Sequence, residues 1–141
     1  MSTIIRTEHP ASCLMKVWHG EDWYDAIPQM VDPSTGAPWN LSGVTLELFI
    51  RPSFNHATRF VLLTSVGSAG IDIEDAAFGL AAIHYSQANV EANLPLTTQP
   101  ADSHIGWEHF LRASFTDPDA GSVKLHIWTG RCFVLPARDD P

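Results

Sequence analysis

The side chains able to do chemistry in this 141-residue chain are seven histidines, two cysteines and sixteen carboxylates. The chemistry on offer is therefore metal ligation, thiol attack or carboxylate acid–base catalysis. Zinc held by one element needs histidines four apart on a helix or alternating along a strand. None of His9, His19, His56, His84, His104, His109 and His126 stands in either relation. Asp117-x-Asp119-x-Gly121 opens like a calcium loop, but its twelfth position is Trp128 where a bidentate glutamate belongs, so a hairpin turn explains it better. Asp72, Glu74 and Asp75 read as a solvated turn. Gly67-Ser68-Ala69-Gly70 is not a Gly-x-Ser-x-Gly elbow, and no helix signal follows it. Cys13 has only Lys16 and His19 to activate it, and burial on a strand makes a thiol inert. Glu21 and Asp22 are adjacent, so their carboxylates point apart. No glycine-rich phosphate loop is present. The expectation is no enzyme, no metal and no cofactor.

Elements that could position a site follow from composition and patterning. With 45% hydrophobic residues the chain can bury one core of ordinary size, and its five Trp, seven Phe and two Tyr are far too many for disorder. A formal charge of -8 repels phosphate, which disfavours nucleic acid. Met1 to Pro10 lacks the basic end and apolar run of a secretory signal, and nothing approaches about eighteen consecutive apolar residues. A soluble protein made in a cytoplasm, with no membrane partner, is expected. Cys13 and Cys132 read as small buried hydrophobes. A disulfide is geometrically allowed only if the first and last strands lie side by side.

Strand signals recur between turn signals. They begin with Leu14 to Trp18, then Trp23 to Val31, where Pro28 demands an edge or a bulge. Val44 to Arg51 alternates cleanly, with Val44, Leu46, Leu48 and Ile50 on one face and Thr45, Glu47, Phe49 and Arg51 on the other. Arg59 to Ser65 is a nearly continuous apolar strand, and Ile71-Asp72-Ile73 a short alternation. Gly79 to Tyr85 follows, with Ala81, Ile83 and Tyr85 on the core side. Ser86 caps one or two helical turns whose Val90 and Leu94 pack back on the sheet, and Pro95 ends them. Trp107 to Thr116, the Asp117 to Gly121 hairpin, Val123 to Trp128, a turn at Thr129-Gly130-Arg131 and Cys132 to Leu135 complete the set. The expected architecture is all-β, an antiparallel sandwich with one short helix. Residues 1–12 form an N-terminal arm, 13–136 a single domain and 137–141 a tail.

The order of these segments resembles a family of small phage virion domains. Such domains stand at the N-terminus of siphophage upper baseplate proteins and as short proteins of tail and fibre modules. The likeness spans roughly Cys13 to Pro136. It is carried by Gly20-Glu21-Asp22-Trp23, by Pro38-Trp39-Asn40-Leu41-Ser42-Gly43 leading to Ile50-Arg51, and by Leu63-Thr64 and Gly70-Ile71. The Gly79 strand with its Ser86 to Pro95 helix, Trp107 to Phe115, and a closing Gly130 to Pro136 complete it. Members often have Gly-x-Tyr-x-Tyr-Asp where this chain has Gly106-Trp107-Glu108-His109-Phe110, and the acidic residue of that run is missing. The resemblance implies an immunoglobulin-like sandwich serving as an adaptor or attachment module in a virion assembled in the host cytoplasm. It implies no catalytic residues.

Outward strand positions then carry the functional expectation. If the alternation places Val44, Ala81, Leu111, Val123 and Val134 inward, Phe49, Leu80, Phe110, Trp128, Phe133 and Leu135 point outward. Several exposed apolar residues with aromatic enrichment mark a surface that another subunit covers. The partners expected are other virion proteins of tail, fibre, portal, collar or capsid, with the chain itself present in many copies. A capsid decoration protein is one alternative. The other is a carbohydrate-binding module in which Trp18, Trp23, Trp39, Trp107 or Trp128 stacks on sugar.

Overall fold

Alternating side chains build the strands, and turn chemistry cuts them to length. The computed structural model describes residues 11–12, 14–32, 35–52, 59–97 and 107–137. In chain order these form β1 (Ala11–Ser12), β2 (Met15–Trp18), β3 (Trp23–Ile27), β4 (Thr45–Arg51) and β5 (Val61–Thr64). They continue as β6 (Ile71–Asp75), β7 (Leu80–Tyr85), the helix α1 (Gln87–Asn93), β8 (Trp107–Asp117) and β9 (Gly121–Leu135). One sheet runs β1-β9-β8-β4-β5 with β2 also on β9, and a second runs β3-β7-β6. The fold is the expected all-β sandwich with one short helix.

The inner faces meet in one core. Leu46, Leu48 and Ile50 of β4, Leu63 of β5, and Leu111 and Ala113 of β8 pack with Ile71, Ala81 and Ile83 of the smaller sheet. Each large aliphatic buried there contributes on the order of 1.5–3 kcal/mol. Val90 and Leu94 join the same core, 0% and 1% exposed, so the helix closes the sandwich as its spacing predicts. Its N-terminus is satisfied twice. Ser86 Oγ accepts from the Asn89 amide at 3.3 Å, and Asp22 Oδ1 accepts from the Gln87 amide at 2.7 Å. The loop before β3 holds the far side of the helix as well. Glu91 accepts from the Gly20 amide at 2.8 Å, and that bond, aided by the Gln87 side chain, lowers the Glu91 carboxyl from its ordinary range. His19 Nε2 donates to the Leu94 carbonyl at 2.8 Å.

Several boundaries differ from the sequence expectation. Ala11 and Ser12, assigned there to an arm, pair in parallel with Trp128 and Thr129, so the sandwich begins before residue 13. β3 stops at Ile27, before Pro28, and among the described residues pairs only with β7, which is the edge position that a nearby proline requires. The turn expected at Thr129-Gly130-Arg131 does not form. β9 runs straight through it as a fifteen-residue strand, because β8 supplies a ladder partner throughout, including His109 opposite Gly130. The register slips by one residue at Ile127, between the pairs Leu111–Trp128 and Arg112–His126. That bulge reverses the alternation. Trp128, expected on the outside, points into the core and is 5% exposed.

The first and last strands do lie side by side, with β2 parallel to β9 and Met15 opposite Cys132. Cys132 is a free, fully buried thiol. Cys13 lies outside the described residues.

Two glycines of equal backbone sign test what space means in this fold. Gly79 (φ 68°) and Gly121 (φ 78°) both adopt the left-handed region that favours glycine. A Cβ at Gly79 would lie 2.5 Å from the Met30 carbonyl oxygen and 2.9 Å from that of Trp39, whereas one at Gly121 meets nothing within 4 Å. Gly79→Ala is expected to lower unfolding free energy by roughly 2–4 kcal/mol and Gly121→Ala by about 1 kcal/mol, read from urea midpoints at unchanged slope.

Burial pushes the Cys132 thiol from its ordinary 9.0 up to about 12, with the Asp25 carboxylate adding to the effect. The unfolded chain then loses this proton near pH 9 while the folded chain keeps it. Stability from this group is complete below pH 9 and is lost as pH rises towards about 12. A pH series of denaturant melts should fall by about 1.4 kcal/mol per pH unit more steeply across that window in the wild type than in Cys132→Ala.

Candidate functional site

The outer face of the larger sheet is built by the side chains that alternation leaves over on β4, β5, β8 and β9. Cross-strand register sets them in rows. Thr64, Glu47, Arg112 and His126 form one row, Leu62, Phe49, Phe110 and Thr129 the next, and Arg51, Glu108 and Arg131 a third. Directly opposed side chains on one face are close enough to interact as pairs.

Phe49 and Phe110 stack, with centroids 4.6 Å apart and planes inclined by 18°. Three guanidinium groups gather over this pair. Arg112 lies 4.7 Å, Arg59 5.3 Å and Arg51 5.9 Å from the Phe49 centroid, and Arg51 is also 4.9 Å from that of Phe110. Each such cation over a ring is attracted by about 0.5–2 kcal/mol. Arg112 is tied down further, donating from Nε at 3.2 Å and from Nη2 at 2.8 Å to Glu47 Oε1. Arg131 pairs with the buried Glu108 carboxylate. The His126 ring closes the far side at 5.2 Å from Phe110. The result is an aromatic platform under a layer of positive charge, suited to carboxylates that approach from outside.

The six outward candidates therefore separate. Phe49 faces outward as read, but it is not exposed: at 3% it is covered by its arginines and by Phe110. Phe110 beside it is half-buried. Phe133 and Leu135 are half-buried on the same outer face, opposite Lys16 and Trp18. Leu80, 39% exposed, belongs to the other sheet and so to the opposite side of the molecule. Trp128 belongs to the core. What sequence reasoning missed is the arginine cover. Arg51, Arg59 and Arg112 were visible only as scattered cations, and it takes the β4–β5 and β4–β8 pairings to bring them together.

Of the five tryptophans named for sugar stacking, three lie in the core and Trp18 is half-buried opposite Leu135. Trp23, Trp39 and Trp128 are core residues at 4%, 7% and 5% exposure. Trp107 is held at the Phe60 ring and donates its indole N–H to the Pro95 carbonyl. A cleft of about 400 Å³ opens between β2 and β3, lined by residues including Lys16, Asp25 and Trp128, and Asp25 there accepts the Trp23 indole N–H at 2.7 Å. Among the described residues its lining holds no histidine, cysteine or serine. Asp117, at the head of the calcium-like run, accepts from the Asp119 and Ala120 amides, which makes it the organiser of the β8–β9 turn. Among the described residues no three His, Cys, Asp or Glu side chains gather as a metal site.

No family model matches the chain, and no curated protein matches it in sequence.

The Phe49 ring is the part of this face on which the others rest. Phe49→Ala is expected to cost about 3–5 kcal/mol, because it removes the stacking partner of Phe110 and the surface under three cations, while Phe49→Leu, which loses the ring face but keeps apolar bulk, should cost about 1–2 kcal/mol less than the alanine variant. Equilibrium urea denaturation of the two variants measures both.

Proposed function

We propose that this chain is a non-enzymatic structural component of a phage virion, an adaptor or attachment module acting through protein–protein contacts at tail, baseplate, collar or fibre anchor. The observation that carries the reading is the outer face of the larger sheet, where Phe49 and Phe110 stack beneath Arg51, Arg59 and Arg112. Aromatic and arginine side chains are the residues that dominate binding energy at protein interfaces. The order of segments from Gly20 to Pro136 supports the virion setting by its resemblance to small baseplate and fibre-module domains. In such a setting many copies multiply a modest contact into firm attachment. Its partners are other virion proteins.

Labelling of purified particles tests the reading. An antibody against the chain should decorate virions at one fixed position, and mass spectrometry should find the chain at constant stoichiometry. Phe110→Glu, which places a carboxylate beside Glu108 and Glu47 without emptying the core, should fold yet enter particles at least about tenfold less, the effect of losing some 1.4 kcal/mol of contact. A chain found only free in the cytoplasm and absent from washed particles would overturn the proposal.

A further inference from the structure

The charges of this protein are sorted by layer. Every Lys and Arg among the described residues lies on or immediately beside the larger sheet: Lys16, Arg51, Arg59, Arg112, Lys124 and Arg131. Only four described carboxylates share that layer, Glu47, Glu108, Asp117 and Asp119, and each of the first two is paired with an arginine. The smaller sheet, the loops entering and leaving β3, and α1 hold the other eight described carboxylates and no Lys or Arg. Among the described residues one side is thus net positive, with six cations against four carboxylates, and the other holds eight of the twelve carboxylates with no Lys or Arg among them.

The acidic side is also shaped for contact. On the outer face of the smaller sheet Tyr24 and His84 are opposed, as are Ala26 and Ala82, with Asp72 beside Ala82. Tyr24 donates to Glu74 at 3.3 Å and packs edge-on to His84, and His84 Nδ1 lies 3.8 Å from Asp72. Leu80 and Phe78, 39% and 56% exposed, border the patch. It is a partly aromatic surface whose carboxylates have, among the described residues, no Lys or Arg to neutralise them. The opposite face of the same molecule presents guanidinium groups over a phenyl pair.

We infer that the arginine-covered outer face of the larger sheet docks on the acidic outer face of the smaller sheet of a second copy of this chain. Guanidinium groups of Arg51 and Arg59 then meet Asp72 and Glu74 of the neighbour, and Phe110 meets its Tyr24 and Leu80. The partner is chosen by complementarity of charge and of surface type, both present on one chain at equal concentration. Because the two faces lie on opposite sides of the sandwich, the contact is head-to-tail. A row of docked copies still offers one unused face of each kind, one at either end. Such a contact closes into a ring or extends as a filament, according to the rotation between copies. This rests on reading the arginine-covered face as a protein-binding surface, and it supplies the first partner of that surface.

Sedimentation velocity of the full chain at fixed ionic strength, up to about 1 mM where even millimolar contacts register, tests it. Two variants accompany the wild type. Arg51→Glu with Arg59→Glu reverses the basic face but spares the Arg112–Glu47 pair, and Asp72→Lys with Glu74→Lys reverses the acidic face. Circular dichroism confirms that both fold. The wild type should form species larger than a dimer, each variant alone should stay monomeric, and an equimolar mixture, in which the intact faces match and the two reversed faces match each other, should recover association. Either a monomeric wild type, or folded variants that associate as the wild type does, overturns the inference. So does a mixture that stays monomeric. A wild type that is monomeric yet present in washed particles removes self-assembly alone and leaves the virion reading in place, whereas absence from particles removes that reading whatever the sedimentation shows.

Discussion

The ladder between β8 and β9 is the constraint on which the rest of the structure depends. It runs from Trp107 opposite Cys132 to Asp117 opposite Gly121, and both neighbours of the pair are fixed by it. β4 takes its register from the free edge of β8, and β1 and β2 take theirs from the free edge of β9. Its turn is set by Asp117 holding two backbone amides, and its phase is set by the extra residue at Ile127. Without that bulge, one run of β9 would face the wrong way relative to the other. With it, Leu125, Trp128, Cys132 and Val134 all reach the inner side of the sheet, and Thr129 and Arg131 the outer.

The same phase makes the two surfaces of the sheet chemically different. The inside is an aliphatic and indole core closed by the helix, and the outside is a mixed layer in which phenyl rings are roofed by cations. Roofing of this kind lets a β-sheet keep aromatic area near water without leaving it bare, since a guanidinium stays hydrated on its outer edge while its plane covers the ring. Burial alone therefore understates what Phe49 offers a partner.

Local signals in the chain were sufficient for most elements and silent about two of the most consequential. The alternation from Val44 to Arg51, the Ser86 cap with Val90 and Leu94 behind it, and the Asp117 to Gly121 turn each specify structure within a few residues, and each is where it reads. Gly130 reads as a turn because glycine usually marks one, but here it faces the fully buried His109 across the ladder, where a strand tolerates the smallest residue. The Ile127 bulge has no local mark at all, so the orientation of Trp128 was not legible. The arginine cover was hidden for a different reason. It joins Phe49 to Arg59 on one side and to Arg112, sixty-three positions away, on the other, and only strand order places them together.

The parallel seat of β2 on β9 sets an order of events during synthesis. The strand that is made near the beginning can find its partner only after residues Cys132 to Leu135 have left the ribosome, and no hairpin brings the two together. Until then Met15 and Val17, both buried in the finished fold, have nowhere to go. Closure of the sandwich is therefore a late, non-local step that waits for the last strand of the fold to be made.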